Sequence, residues 1–387
     1  MDRTSILGKK VAGPTLGGMS FYAAFMRLSL VSLDMKYSIR LKSTLACGFA
    51  IGTLANTKPV YASPVSAQTY AEMYTLANFN RPLTKTNPYR YYDFDNGQLS
   101  LGLIEFAIIG ESSNGEKAVI DFDFGSFADA NAPSTDPTHF VGQAVLSAPI
   151  GSGLRLDAGK FYSPMGFEVV KAKDCWNFSR SALFSYTIPF WHIGLRLASQ
   201  LNDATALSVL VVNGWNNSVD NNRAQSLGLG YSTVFAEDIS LNLNWLAGPE
   251  QAGDESNWRN TSEANIAFNA LGLAWGVDSV FGEERDARWY GLAIFSKAQF
   301  TDRSFVAVRG ETLTDEKSTV LSRPTGMTFQ GQTLQTATLT FGYDFSPSMK
   351  TRTELRLDSS SQDVFSSETG SRKTQTTALL GLLFEIK

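Results

Sequence analysis

Between Met349 and Asp358 the chain reads MKTRTELRLD, with a charged residue at every second position: Lys350, Arg352, Glu354, Arg356 and Asp358. On an α-helix that spacing would scatter the charges around the whole rod. On a β-strand it places all five on one face and leaves Thr351, Thr353, Leu355 and Leu357 on the other. The stretch reads as a strand with one polar and one apolar face. What covers the apolar face, a protein core or a lipid bilayer, decides the fold.

The same alternation recurs along the chain. LRLDAGKF sets Leu154, Leu156 and Ala158 against Arg155 and Asp157, and AVIDFDF sets Ile120, Phe122 and Phe124 against Asp121 and Asp123. ISLNLNWLA alternates Ile239, Leu241, Leu243 and Trp245 with Ser240, Asn242 and Asn244. QTATLTFGYDF places Thr336, Thr338 and Thr340 opposite Ala337, Leu339 and Phe341, and SFVAVRGET places Arg309 and Glu311 opposite Val306 and Val308. Helical periodicity longer than two turns is missing after Gln68.

Very short links (Asn202-Asp203-Ala204, Thr301-Asp302-Arg303, Ser346-Pro347-Ser348) alternate with long polar ones such as ADANAPSTDPT, WNNSVDNNRAQ, GPEQAGDESNWRN, the stretch Thr314–Thr333 and SSSQDVFSSETGSRK. Short turns at one end and long loops at the other are how an outer-membrane barrel is built. A strict up-and-down path needs an opening strand around Tyr70–Phe79 and a split of TSEANIAFNALGLAWGVDSVFG near Asn269-Ala270. With both, the count reaches about sixteen strands; fourteen is the fallback. A soluble β-sandwich or solenoid would alternate too. Against it stand opposite charges paired on the polar faces, the lack of an internal repeat, and aromatic residues near strand ends (Phe341, Tyr343, Phe345, Trp289, Tyr290) that would form a membrane-interface girdle. The fold class is therefore all-β: a transmembrane, antiparallel, up-and-down β-barrel with short periplasmic turns and long outer loops.

No apolar run reaches the roughly 18–20 residues of a transmembrane helix. Residues 35–67 instead have the layout of a secretory signal: basic Lys36, Arg40 and Lys42, an apolar segment from Thr44 to Ala55, then small residues ending at Ala62 or Ala67. Residues 1–34 read as an upstream extension from a misplaced start, and 68–387 as the barrel. Residues 1–67 hold eight Lys/Arg and two Asp/Glu, so removing them takes the net charge from −4 to about −10. That balance argues against nucleic acid as a partner. It also gives a weak lean toward cations, which clusters of Arg on the wall could reverse. One cysteine, Cys175, remains after removal, so no internal disulfide can form.

Four stretches in order resemble the β-barrel porin family of OmpL-like type, a bacterial outer-membrane group. They are NFNRP…RYYDFD (Asn78–Asp95), GKFYSPMGFEVV…NFSRSALFSYTIPFWHIGLRL (Gly159–Leu197), RGETLTD (Arg309–Asp315) and RTELRLDSS (Arg352–Ser360), in a match running from about Tyr70 to the C-terminus. Such barrels usually end on an aromatic residue that the barrel-insertion machinery reads. Here Phe384 is followed by Glu385, Ile386 and Lys387.

Arg or Lys facing lipid at mid-membrane costs about 2–4 kcal/mol each, so the alternating charges must face the lumen. Arg155, Asp157, His192, Arg196, Arg309, Glu311, Arg352, Glu354, Arg356 and Asp358 are the candidate pore-lining residues. Because Thr336, Thr338 and Thr340 between them are short, Arg309 and Glu311 should reach across to Arg352, Glu354 and Arg356 as an Arg–Glu ladder. Such charges either filter solutes or merely neutralise and stiffen the wall. The longest link, 162–191, carries Pro164, Phe167, Val169, Trp176, Phe178, Phe184, Tyr186 and Phe190, too apolar to wave in water. Folded into the barrel, it would bring Glu168, Lys171, Lys173, Asp174 and Arg180 to the passage; otherwise it is an outer cap or subunit contact.

Catalytic signals are thin. His139 and His192 lack metal-ligand spacing, no nucleophile elbow or phosphate loop occurs, and Cys175 reads as a packed thiol. A Ser–His–acid hydrolase needs a serine beside a histidine, and nothing in the sequence selects one. The reading is a non-enzymatic porin in the bacterial outer membrane, without cofactor or metal, passing small hydrophilic solutes. It would sit in outer-membrane lipid and lipopolysaccharide, with a homotrimer as the assembly to test. The alternative is a non-conducting barrel serving as an adhesin or a phospholipase-like enzyme scaffold.

Overall fold

The computed structural model describes residues 64–236, 238–321 and 331–386. The signal and extension readings thus lie outside the described residues up to residue 63, as does part of the loop 314–333. In chain order the strands are β1 (Val65–Asn78), β2 (Leu99–Glu111), β3 (Lys117–Phe124), β4 (Val141–Gly151), β5 (Leu154–Tyr162), β6 (Trp191–Asn202), β7 (Thr205–Val212), β8 (Ser226–Ala236) and β9 (Ile239–Pro249). They continue with β10 (Trp258–Ala270), β11 (Leu273–Glu284), β12 (Ala287–Thr301), β13 (Ser304–Asp315), β14 (Gln332–Ser346), β15 (Met349–Ser360), β16 (Phe365–Ser367), β17 (Gly370–Arg372) and β18 (Thr374–Ile386). Two short helices, α1 (Ser126–Asn131) and α2 (Ala182–Thr187), lie in the connections.

Sixteen strands, β1 to β15 with β18, close into one antiparallel barrel in which each pairs with its neighbours in sequence. β16 and β17 form a separate hairpin in the link between β15 and β18. The barrel is sealed by β1 against β18, in register from Thr69↔Ile386 to Asn78↔Thr377, so no sheet edge is left open to lipid. The predicted split falls at Leu271-Gly272, two residues beyond Asn269-Ala270. Both turn residues have positive φ, 55° and 75°, as a two-residue hairpin turn with matching twist requires.

Long and short links segregate by end, with residues 79–98, 125–140, 163–190, 213–225 and 361–373 on one rim and two-residue turns such as 152–153, 271–272 and 302–303 on the other. One outer link breaks the pattern: only Arg285 and Asp286 join β11 to β12.

Side-chain parity follows the sequence pattern. On β15, Arg352, Glu354, Arg356 and Asp358 are buried, while Leu355 and Leu357 are exposed on the outside. Leu339 and Phe341 on β14, and Leu380, Leu382 and Phe384 on β18, extend the exposed apolar surface. A band of this size on every strand suits hydrocarbon and not water. Trp289 departs from the expected girdle. It alternates with Tyr290, so only one can face outward; Tyr290 does, and Trp289 is fully buried on the lumen side. There the Arg259 guanidinium lies 5.7 Å from its ring.

Candidate pore

The link 163–190 folds into the barrel. Its apolar residues explain why: Phe167, Phe178, Leu183 and Phe184 are all buried, and Phe167 packs on the lumenal Phe295 at 4.5 Å between ring centroids. The wall is shaped to receive them. At Gly276 on β11 a Cβ would overlap the Phe167 ring, and at Gly381 on β18 it would overlap Phe178. At Gly291 on β12 a Cβ would sit 2.8 Å from Leu183. These lumen-parity glycines form the bed of the loop, a signal the sequence reading passed over.

Polar ties then fix the loop to the wall. Arg309 on β13 donates to Glu168 at 2.7 Å and to the Ser179 carbonyl at 2.6 Å. Glu311 accepts the Ala182 and Leu183 N–H groups at 2.6 and 3.2 Å, satisfying donors that the first turn of α2 leaves open. Ser181 caps the same helix by accepting from the Phe184 N–H at 3.1 Å. Glu354 on β15 accepts from the Phe178 and Ser179 N–H groups at 2.9 and 3.2 Å. Arg356 donates to the Arg180 carbonyl at 2.9 Å and to Asp358 at 2.6 Å.

The expected Arg–Glu ladder across β14 is thus replaced, among the described residues, by ties to the loop. The threonines fill the gap: Thr336 donates to Glu311, Thr338 accepts from Arg309, and Thr340 donates to Glu354. A loop backbone rich in free N–H and C=O groups competes for these charges better than a side chain two strands away.

The loop candidates also meet the wall. Glu168 accepts from the Ser181 N–H at 2.6 Å. Arg180 donates back to the loop's own carbonyls, Val169 at 2.9 Å and Val170 at 2.6 Å. Lys171 pairs with Glu105 on β2 and, at 3.6 Å, with Asp121 on β3. Burial alone would lower the Lys171 pKa, but these carboxylates hold it above its usual range. Lys173 pairs with Glu385 on β18, and Asp174 is exposed.

On the other side of the barrel, Arg196 pairs with Asp157 at 2.7 Å, and Arg155 donates to the Ser147 hydroxyl at 2.8 Å. His192 lies 3.3 Å from the Ser163 hydroxyl, at the base of the loop. Its other ring nitrogen meets the Gly214 carbonyl at 3.2 Å, where a hydrolase triad would place a carboxylate. His139 is far from it, bonded to the Ala132 carbonyl and to Asp129 in the outer link 125–140. Cys175 is buried, its thiol pushed up to about 12 chiefly by that burial.

The loop's ties cluster on β11 to β18 and on β1 to β3. Toward β7, β8 and β9 the Asn244 amide donates to the Pro164 carbonyl at 3.4 Å, and Pro164 with Ser208, Gly230, Tyr231, Ser232, Asn242 and Asn244 lines a crevice of about 50 Å³.

The architecture is that of known outer-membrane channels. The anion-selective porin from Comamonas acidovorans superposes with a TM-score of 0.60 at 9% identity, covering 84% of this chain and 100% of that one. The outer membrane channel DcaP of Acinetobacter baumannii gives 0.57 at 11% identity, covering 86% and 100%. The trimer form of in-vitro folded OmpT, an outer membrane protein of Vibrio cholerae, gives 0.55 at 10% identity, covering 84% and 100%. At such identities the likeness establishes the fold alone. No curated protein sequence matches the chain. A family model does, over residues 64–386, nearly the whole barrel. The chain belongs to the family described as "Putative beta-barrel porin-2, OmpL-like", and is an outer-membrane porin of the bacterial cell envelope.

Proposed function

We propose that the barrel is a diffusion pore for small hydrophilic solutes and ions, with the inner loop as its constriction. The observation that carries this reading is one-sidedness. The loop is held by many ties to the β11–β18 and β1–β3 wall, while toward β7–β9, among the described residues, it is met by a single long hydrogen bond, from the Asn244 amide to the Pro164 carbonyl at 3.4 Å, beside Ser208, Gly230, Tyr231 and Ser232. A solute would pass between that wall and the loop, past Arg155, Asp157 and Arg196, with no energy input. The charges on the opposite wall, from Arg309 to Asp358, would set the loop's position more than touch the solute.

The barrel would be placed in lipid and lipopolysaccharide by the insertion machinery after removal of the segment 35–67. A homotrimer is the proposed assembly, in line with the trimer form recorded for the Vibrio OmpT. The test of function is single-channel recording of protein purified from outer membranes. Stable current steps, enlarged by deletion of the inner loop, support the pore. A second reading is favoured by one fact, the near-complete burial of lumenal Arg309 and Arg356 under the loop. If that packing seals the lumen, the wild type passes no current and current appears only on loop deletion, leaving a plugged barrel with an adhesive or scaffold role.

A further inference from the structure

The lumenal carboxylates near the loop are engaged by it, as Glu311 and Glu354 show. At the mouth formed by the short turns the balance differs. Lys297 on β12, and Lys350 and Arg352 on β15, share lumen parity close to their strands' short-turn ends. The Lys297 ammonium lies 4.9 Å from the Phe305 ring centre, and the Arg352 guanidinium 4.6 Å from the same ring. Phe305 thus gathers two cations around one aromatic ring.

Among the described residues one carboxylate, Asp344, serves all three. Asp344 accepts from Arg352 at 3.1 Å and stands opposite Lys350 in the strand register. Lys297 rests on aromatic faces, Phe305 and Trp176, where a carboxylate would be the usual partner. The Arg352 Nε–H is buried and, among the described residues, has no hydrogen-bond partner. An unmet donor in a mostly buried guanidinium, beside two half-exposed lysines, is what a site for an oxyanion leaves when no oxyanion is in it. Across the lumen Arg155 adds a cation that donates to Ser147 and the Gly115 carbonyl.

We propose that Lys297, Lys350 and Arg352 form an anion-binding site at the periplasmic mouth, taking the carboxylate or phosphate group of a small solute in transit. The proposal rests on the pore reading and names the solute class: anions over cations. It reverses the lean drawn from bulk charge, because lumenal acids such as Glu168, Glu311 and Glu354 are committed to the loop and its wall, while the Lys297 and Lys350 side chains are half-exposed.

The test compares wild-type protein from outer membranes with the double variant K297Q/K350Q, which leaves the Arg352–Asp344 contact in place. Under a potassium chloride gradient the wild-type reversal potential should show chloride preference. The double variant should lower the chloride-to-potassium permeability ratio by about tenfold, the low end of what a like-signed cleft gives. Cation preference in the wild type, or an unchanged ratio in the variant, overturns the site. Absence of any current overturns the pore reading instead. The site is then judged by line broadening of inorganic phosphate in phosphorus-31 NMR of the detergent-solubilised protein. Broadening that the double variant loses upholds it, and no broadening with the wild type overturns it.

Discussion

Arg309 and Glu168 form an ion pair at 2.7 Å, fully enclosed between the β13 wall and the inner loop, with both side chains no more than 3% exposed. One charge belongs to the barrel and the other to the loop, so the pair measures how firmly the loop is seated. Removing one partner of such a pair strands the other and costs about 3–5 kcal/mol. R309M should therefore loosen the loop strongly and E168Q more mildly. The check is channel noise together with protease cleavage inside 163–190. An R309M channel as quiet and uncut as wild type would mean that the pair does not seat the loop.

The glycine bed gives a second prediction. G381V places a side chain where the Phe178 ring now lies, and G276V does the same to Phe167. Overpacking of this kind costs about 1–3 kcal/mol. The barrel, held by its sixteen-strand ladder, should survive and still migrate as a folded band in unheated detergent gels. Its conductance should change, since the loop must move to make room. A folded band with wild-type conductance would contradict the close fit at these two positions.

Cys175 offers a direct reading of loop docking. The thiolate is the reactive form, and a thiol pushed up to about 12 by burial is almost wholly protonated at pH 8. Native protein should fail to react with a disulfide reagent at pH 8 and react fully once heated in detergent. R309M should react at an intermediate rate. Prompt reaction of the wild type would show that the loop leaves the lumen readily.

The outward face carries a fourth prediction. Leu339 and Thr338 are neighbours on β14 with opposite parity, Leu339 half-exposed outside and Thr338 buried inside. Arginine at 339 would meet hydrocarbon at about 2–4 kcal/mol. L339R should lower the yield of inserted barrel well below that of L339F, measured as heat-modifiable protein in outer-membrane fractions. Equal yields would place this strand's outer face in water.

Parity made most of the barrel legible in the sequence, because a period of two has one physical meaning on a strand. Lys350 to Asp358 showed which face looks inward, and the Leu271-Gly272 turn lay within two residues of its expected place. Parity was misapplied at Trp289 and Tyr290, where two adjacent aromatics were both assigned to the girdle. Partner choice was beyond it. Arg309 and Glu354 could be placed in the lumen, but nothing local says that Arg309 meets Glu168, 141 residues earlier, or that Glu354 meets the N–H groups of Phe178 and Ser179. Those contacts depend on how a long loop packs. The glycines at 276, 291 and 381 were the available hint, visible only once strand parity and loop depth are considered together.

The inner loop also sits across the seam where the first and last strands meet. Lys171 reaches β2 and β3, the Ala172 N–H donates to Glu72 on β1, and Lys173 reaches Glu385 on β18. During synthesis the loop emerges before eleven of the sixteen wall strands, and its contact with Glu385 is made on the last of them, β18. It is thus available as a mandrel around which the later strands wrap. Correct curvature would be sensed by Lys173, whose backbone N–H donates to the Tyr70 hydroxyl on β1 at 3.2 Å and whose ammonium pairs with Glu385 on β18, at the moment the cylinder closes.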